Sequence, residues 1–407
     1  MIKTVFNPQT ADIIKIPPSK SEVHRLLICA ALSDRETEIF CESLNEDIEA
    51  TVSCLNSLGA DISFSEGVFS VKPIVNVPEK PVLHCRESGS TLRFLLPLTA
   101  HLGKSSSFIT EGRLGDRPLS PLKEALEEAG IIFTKNGNEI KVSGKCESTE
   151  FSIAGNVSSQ FISGLIFMLT KTGGEIEITG EAASRPYIEM TIDALRLFGC
   201  DVSFRESIIT VPKTCPLLSP GTAEAGGDWS NAAFFLSAGV IGKRKITLSG
   251  LKDHSRQGDR KIIEILREFG GEIKVSEKSV TAFPSLLHGI NIDSRDIPDL
   301  VPVLSVVAAN AEGTTVIKNC SRLRLKESDR IEAVYNMIKN LGGKIRVEND
   351  SIIIEGSALR GGSVDAVNDH RIAMSGAVAA FASDGAVTIN GAEAVKKSYP
   401  TFWDEIR

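Results

Sequence analysis

Within Leu323-Arg324-Leu325-Lys326-Glu327-Ser328-Asp329-Arg330, three cations and two acids precede a run in which Ile331, Val334, Tyr335, Ile338 and Leu341 recur at helical spacing. Ser328 is suited to cap that helix, which sets Lys326 and Glu327 at its amino end. Unpaired N–H groups and the helix dipole favour anions there, and the cations add to that preference. Glu327 does not belong in a pure anion site. Either it has a task of its own or the segment is a solvated, salt-bridged helix start, and the rest of the chain decides between the two.

The elements that must position these residues follow from a repeat. Glycines close helical runs at Gly59, Gly130, Gly199, Gly270 and Gly342, in contexts such as Leu195-Arg196-Leu197-Phe198-Gly199-Cys200-Asp201-Val202, where a strand then begins. The steps are 71, 69, 71 and 72 residues. A second series, Arg25, Arg93, Gln160, Ser230, Asp299 and Arg371, opens apolar runs at steps of 67 to 72. Six units of about seventy residues are implied, each a helix, a strand, a second helix and an alternating hairpin such as Ala60 to Val71.

The last hairpin has no room before Arg407, where Pro400 to Arg407 reads as a helix. Met1 to Phe6 and Asp12 to Pro17 form a spare hairpin at the other end, placed to complete the last unit. The expected fold is α/β with two three-unit domains: residues 17–225, and residues 1–16 with 226–407, hinged near Pro17 and near Pro220 to Gly227. Units packed about a pseudo-threefold axis would collect helix starts on one face of each domain. Two such faces would make an electropositive cleft of hydroxyls and eight basic side chains, suited to ligands with several negative charges.

Composition narrows the classes. A chain of 407 residues, 42% hydrophobic and 24% charged, is globular, and a net charge of −7 with 6% aromatics argues against nucleic acid. No stretch reaches membrane-span length, and the first twenty residues resemble neither a signal nor a transit peptide. Cysteines 29, 41, 54, 85, 146, 200, 215 and 320 lack any C-x-x-C pair and read as reduced thiols, and the six histidines lack ligand spacing for a metal.

Nine ordered motifs then resemble the 5-enolpyruvylshikimate-3-phosphate synthase family across essentially the whole chain: Lys20-Ser21 with Arg25, Gly89-Ser90 with Arg93, Asp116-Arg117-Pro118, Ser158-Ser159-Gln160-Phe161, Ser184-Arg185-Pro186-Tyr187, Ile297-Pro298-Asp299, Lys326 to Arg330, Asn368 to Arg371, and Lys397 to Pro400. The resemblance implies a two-domain inside-out α/β barrel of six βαβαββ repeats. It implies transfer of the carboxyvinyl group of phosphoenolpyruvate to the 5-hydroxyl of shikimate 3-phosphate, with release of phosphate through a tetrahedral intermediate. By motif match, Lys20, Ser21, Arg25, Ser158, Ser159, Gln160, Ser184, Tyr187, Asp299 and Lys326 would contact shikimate 3-phosphate. Lys20, Arg117, Gln160, Arg330, Arg371 and Lys397 would hold the phosphate and carboxylate of phosphoenolpyruvate, and Gly89 would be a further substrate-binding position. Asp299 is the candidate base at the hydroxyl, Glu327 the acid at the methylene carbon, and Lys20 an aid to the leaving phosphate. No metal or cofactor is implied, and the family's usual state is a cytoplasmic monomer acting on small molecules, without nucleic acid or membrane.

Glu87 and Ser90 stand where the family usually has Asn and Thr, which bears on mimics of phosphoenolpyruvate such as glyphosate, and Arg322 replaces a substrate-binding Asn. The nearest alternative is transfer to UDP-N-acetylglucosamine. That sister family carries a reactive Cys where this chain has Gly112. The other is a non-catalytic binder of phosphorylated metabolites, which would gain nothing from carboxylates at Asp299 and Glu327.

Overall fold

The structure is a computed structural model describing all residues, Met1–Arg407. Eleven α-helices and twenty-three short strands form two compact units, Pro18–Ala225, and Met1–Pro17 with Gly226–Arg407. Each unit encloses its own apolar core. The first holds helices α1 (Lys20–Leu32), α2 (Glu46–Ser57), α3 (Gly89–His101), α4 (Leu122–Glu128), α5 (Ser159–Leu169) and α6 (Arg185–Leu197). The second holds α7 (Trp229–Ile241), α8 (Ile262–Glu268), α9 (Val301–Ala309), α10 (Arg330–Asn340) and α11 (His370–Ala379).

Two kinds of helix follow from two kinds of sequence. Helices α2, α6 and α10 are apolar on one face and bury that face. The others of interest are buried on most sides even where they carry charge, as at Arg25, Arg93 and Arg371, and every residue of α9 and α11 is buried. Such helices can only sit inside. Their amino ends therefore need internal partners for their amide N–H groups, and for five of them a side chain supplies one: Ser19, Ser88, Ser158, Asp228 and Asp369 each accept from an amide of the first turn, whereas α9 has no side-chain cap and carries Pro302, which has no N–H, in its first turn.

The strands form six sheets, five of four strands and one of three. In a typical one, Val82–Arg86 runs parallel to Ser106–Thr110, which is antiparallel to Glu139–Gly144, itself antiparallel to Ile131–Asn136. Apolar residues alternate along these strands, as in Val68–Lys72, where Phe69 and Val71 point inward.

The amino-terminal segment departs from the hairpin expected of it. Ile2–Val5 pairs antiparallel with Val387–Asn390, whereas Ile13–Lys15 runs parallel to Ile246–Ser249 in a different sheet. A counterpart occurs at the second crossing, where Thr222–Glu224 runs parallel to Thr37–Phe40. Each of these crossing strands precedes a helix of one unit in sequence but pairs in a sheet of the other. The expected helix at Pro400 to Arg407 is a single 3-10 turn, Phe402–Asp404. The cysteines also differ from expectation. Cys200 and Cys215 are joined in a disulfide, because the chain after Ile208–Val211 folds back under the end of α6 and brings their Cα atoms to 5.1 Å. The other six are free and buried.

Helices α3 and α5 pass especially close. Pro97 has no N–H, so the Arg93 carbonyl four residues earlier lacks its helical donor. Gly164 of α5 lies against that carbonyl: a Cβ there would fall 2.2 Å from Arg93 O and 3.1 Å from Pro97 Cγ. The substitution Gly164→Ala would have to spread two helices that carry Arg93 and Gln160, at a cost of about 1–3 kcal/mol. Thermal unfolding is expected to show a lower Tm, and an unchanged Tm would mean that the crossing yields freely.

Candidate active site

In the unit Pro18–Ala225, five helix starts are tied side to side. Lys20 opens α1, and its Nζ donates to Asp47 Oδ2 near the start of α2 at 2.6 Å. Ser90 and Arg93 of α3 both meet Gln160 of α5: Gln160 Nε2 donates to Ser90 Oγ at 2.9 Å, and Arg93 Nη1 donates to Gln160 Oε1 at 2.7 Å. Arg25 joins α1 to α6, donating to Thr191 Oγ1, the Tyr187 carbonyl and the Ser21 carbonyl. Its guanidinium also stacks over Phe94. With 2% exposure, Arg25 is first of all a strut, and burial lowers its pKa to about 10. Ser158 caps α5, followed by the buried Ser159, while Ser184 precedes α6 at φ 58 without a side-chain cap bond.

Gly89 lies under two guanidiniums. A Cβ there would fall 2.9 Å from Arg117 Nη1 and 3.0 Å from Arg93 Nη1, so the absence of a side chain is what admits both cations to the start of α3. Glu87 covers Gly112 in the same way, its carboxyl carbon 2.7 Å from where a Cβ would stand. The acid of this unexpected position thus faces the loop that leads to Arg117. Arg185 lies against Glu189 and Phe204, and in the other unit Arg260 lies against Asp253 and Trp229.

The other unit gathers charge more densely. Arg330, at the start of α10 and 1% exposed, donates from Nη1 to Asp299 at 2.6 Å, from Nη2 to Glu327 at 2.7 Å and from Nε to Asp369 at 2.8 Å. Asp299 also receives Lys326 Nζ at 3.3 Å and Arg371 Nη2 at 3.4 Å. Lys397 Nζ donates to the Asn368 carbonyl at 2.7 Å, which two successive left-handed residues, Val367 (φ 44) and Asn368 (φ 57), turn toward it. Lys397 ends the 3-10 turn Ala392–Lys397 and does not open a helix. Nor does Ser328 cap α10: Asp329 accepts from the Ile331 and Glu332 amides, and Ser328 Oγ donates to Asp369 at 3.0 Å. An anionic cap suits a helix whose first residue is a buried cation.

Electrostatics follow from this crowding. Burial works to raise the Asp299 pKa, but Lys326, Arg371 and Arg330 outweigh it and hold the carboxyl well below its usual range. Burial lowers Lys326. Asp259, fully buried and bonded to the Ser230 hydroxyl, goes the other way: burial, then repulsion from Asp299, push it up to about 7. No group of three His, Cys, Asp or Glu side chains is arranged to hold a metal ion. Asp47, Asp259 and Asp369 stand among the charged groups without having been singled out as site residues. The signal for Asp47 was slight, an Asn two residues ahead at a helix start.

Each α/β unit gathers cations, hydroxyls and carboxylates near helix starts, an arrangement of the kind suited to an enzyme of small, multiply charged molecules. The chain belongs to the EPSP synthase (3-phosphoshikimate 1-carboxyvinyltransferase) family, whose model matches residues 6–406. It is 43% identical to the 3-phosphoshikimate 1-carboxyvinyltransferase of Clostridium kluyveri, over 97% of this chain and 94% of that one. Identity with the enzyme of the same name from Clostridium acetobutylicum is 41%, at the same coverage. Among solved structures, EPSP synthase from Acinetobacter baumannii shares the fold with a TM-score of 0.81 at 24% identity, covering 99% of this chain and 97% of that one. The enolpyruvyl transferase NikO from Streptomyces tendae does so at 0.78 and 15%, covering 100% and 98%.

The raised pKa of Asp259 has a defined effect on stability. The folded chain holds this proton to about pH 7 and the unfolded chain releases it near the ordinary carboxyl value of 3.8, so the group's contribution is full below that value and falls away as pH rises toward 7. Asp259→Asn removes the titration. Scanning calorimetry between pH 4.5 and 7.5 is expected to find the variant gaining Tm relative to the wild type as pH rises. A constant difference would mean that Asp259 is ionised throughout.

Proposed function

We propose that this chain transfers the enolpyruvyl group of phosphoenolpyruvate to the 5-hydroxyl of shikimate 3-phosphate and releases phosphate. The observation that carries this reading is Asp299 and Glu327 held on either side of Arg330, with Lys326 and Arg371 beside them. Each substrate brings roughly three negative charges near neutral pH. Cations are needed to screen that repulsion and to fix the reacting atoms at bonding distance.

In this reading Lys20, Ser21, Arg25, Ser158, Ser159, Gln160, Ser184, Tyr187, Asp299 and Lys326 bind shikimate 3-phosphate. Lys20, Gly89, Arg117, Gln160, Arg330, Arg371 and Lys397 bind phosphoenolpyruvate. The 5-hydroxyl oxygen adds to C2 of phosphoenolpyruvate, its proton passes to Asp299, and Glu327 protonates the methylene carbon. Elimination reverses the last step: Glu327 takes a proton back from the new methyl group, the C2–O bond to phosphate breaks, and Lys20 supports the departing anion. Asp299 is a weak base while three cations bind it. A substrate carboxylate competing for Arg330 and Arg371 draws them off, which raises its pKa and frees it to accept a proton.

The same reading takes the six sheets as six βαβαββ copies, three to a unit, in an inside-out barrel, and takes the enzyme as a cytoplasmic monomer. Transfer to UDP-N-acetylglucosamine is the alternative acceptor reaction. Phosphate release with phosphoenolpyruvate and each acceptor decides between them, with turnover expected only for shikimate 3-phosphate. Glu327→Gln is expected to lower kcat by about a hundredfold or more while leaving substrate affinity nearly intact. Wild-type turnover in that variant would take Glu327 out of proton transfer.

A further inference from the structure

Beneath Lys20 and Asp47 runs a second, wholly buried connection that the chemistry above does not use. His24 lies one turn after Lys20 on α1, and Thr51 one turn after Asp47 on α2. His24 Nδ1 and Thr51 Oγ1 are 2.7 Å apart, Thr51 Oγ1 and Thr91 Oγ1 2.6 Å, and Thr91 Oγ1 donates to Ser88 Oγ at 2.7 Å. All four side chains are buried, His24 at 1% exposure.

The protons in this chain are countable. Thr91 has one hydroxyl proton and gives it to Ser88. Thr51 must then donate to Thr91, which uses its only proton, and must accept from His24. His24 is therefore protonated on Nδ1. Its Nε2 meets no hydrogen-bond partner in the protein, as suits a bare nitrogen. Burial, with Lys20 and Arg25 nearby, keeps the ring neutral, so a second proton does not upset the order. Hydrogen bonds aligned in one direction polarise and strengthen one another.

The chain ends at a place of consequence. Ser88 caps α3 by accepting the Thr91 amide, fixing the turn in which Gly89 lies under Arg117 and Arg93 and Ser90 meets Gln160. We propose that His24, as its Nδ1–H tautomer, is a positioning residue: through Thr51 and Thr91 it sets Ser88, and so the seat of Arg117 at the start of α3. This rests on the functional reading above, in which Arg117, Gly89 and Gln160 serve phosphoenolpyruvate. Loss of the relay loosens the grip on that substrate more than it slows the chemistry.

The test combines a tautomer measurement with kinetics. Nitrogen-15 NMR of the full-length enzyme without substrate is expected to find His24 with a protonated Nδ1 and a bare Nε2. A protonated Nε2 overturns the relay. His24→Leu removes the donor and is expected to raise KM for phosphoenolpyruvate about tenfold with a smaller change in kcat. His24→Asn, whose amide N–H reaches the Nδ1 position, is expected to recover most of that loss. Thr51→Val cuts the relay without touching the histidine, and Thr51→Ser restores it, so a leucine variant that fails to fold does not end the test. A lower Tm with KM unchanged in Thr51→Val makes these residues packing alone and sinks the proposal. Because the tautomer is read without substrate, a wild type that fails to turn over phosphoenolpyruvate and shikimate 3-phosphate refutes the functional reading and leaves the tautomer result standing.

Discussion

A guanidinium almost sealed from water is tolerable only where anions surround it, and Arg330 has three: Asp299, Glu327 and Asp369. Removing a single partner from such a cluster exposes the rest to uncompensated burial, which costs far more than the pair itself contributes. The arrangement therefore fixes several elements at once. It joins the starts of α10 and α11, holds the segment before α9 against them, and draws Ser328 away from the helix it could have capped. The same constraint explains why acids stand in a cationic site. Without them the buried guanidinium of Arg330 would stand uncompensated.

The two units solve one problem in different ways. Both have buried helices whose amino ends must be satisfied inside the protein. One does so chiefly with hydroxyls, an amide and an imidazole, through Ser88, Thr91, Thr51, His24 and Gln160. The other uses ion pairs. A network of neutral groups has fixed geometry and little response to incoming charge, whereas ion pairs can exchange partners with an anionic ligand.

What the sequence revealed was local. The glycines at 59, 130, 199, 270 and 342 all adopt left-handed backbone and end helices, because only glycine does so cheaply and the pattern lies within a few neighbours. Cations and hydroxyls at helix starts were legible for the same reason, and Lys326, Arg330, Arg371 and Asp299 do converge. Features that depend on distant pairing were not legible. Nothing near Ile13–Lys15 indicates that its partner is Ile246–Ser249, and a separation of fifteen residues says little about Cys200 and Cys215. The choice of Asp329 over Ser328 as cap turned on Asp369, forty residues away in sequence and adjacent only after folding.

The discontinuity of the unit formed by Met1–Pro17 and Gly226–Arg407 has a bearing on biosynthesis. A ribosome releases Ile2–Val5 and Ile13–Lys15 first, yet their partners at Ile246–Ser249 and Val387–Asn390 emerge hundreds of residues later. At ordinary elongation rates that is a wait on the order of tens of seconds. The unit Pro18–Ala225 contains all its own strands and can close within that interval, leaving two short apolar segments unpaired at its start. The order of assembly is thereby set by connectivity: the discontinuous unit must form second, around a tether that the first unit already anchors.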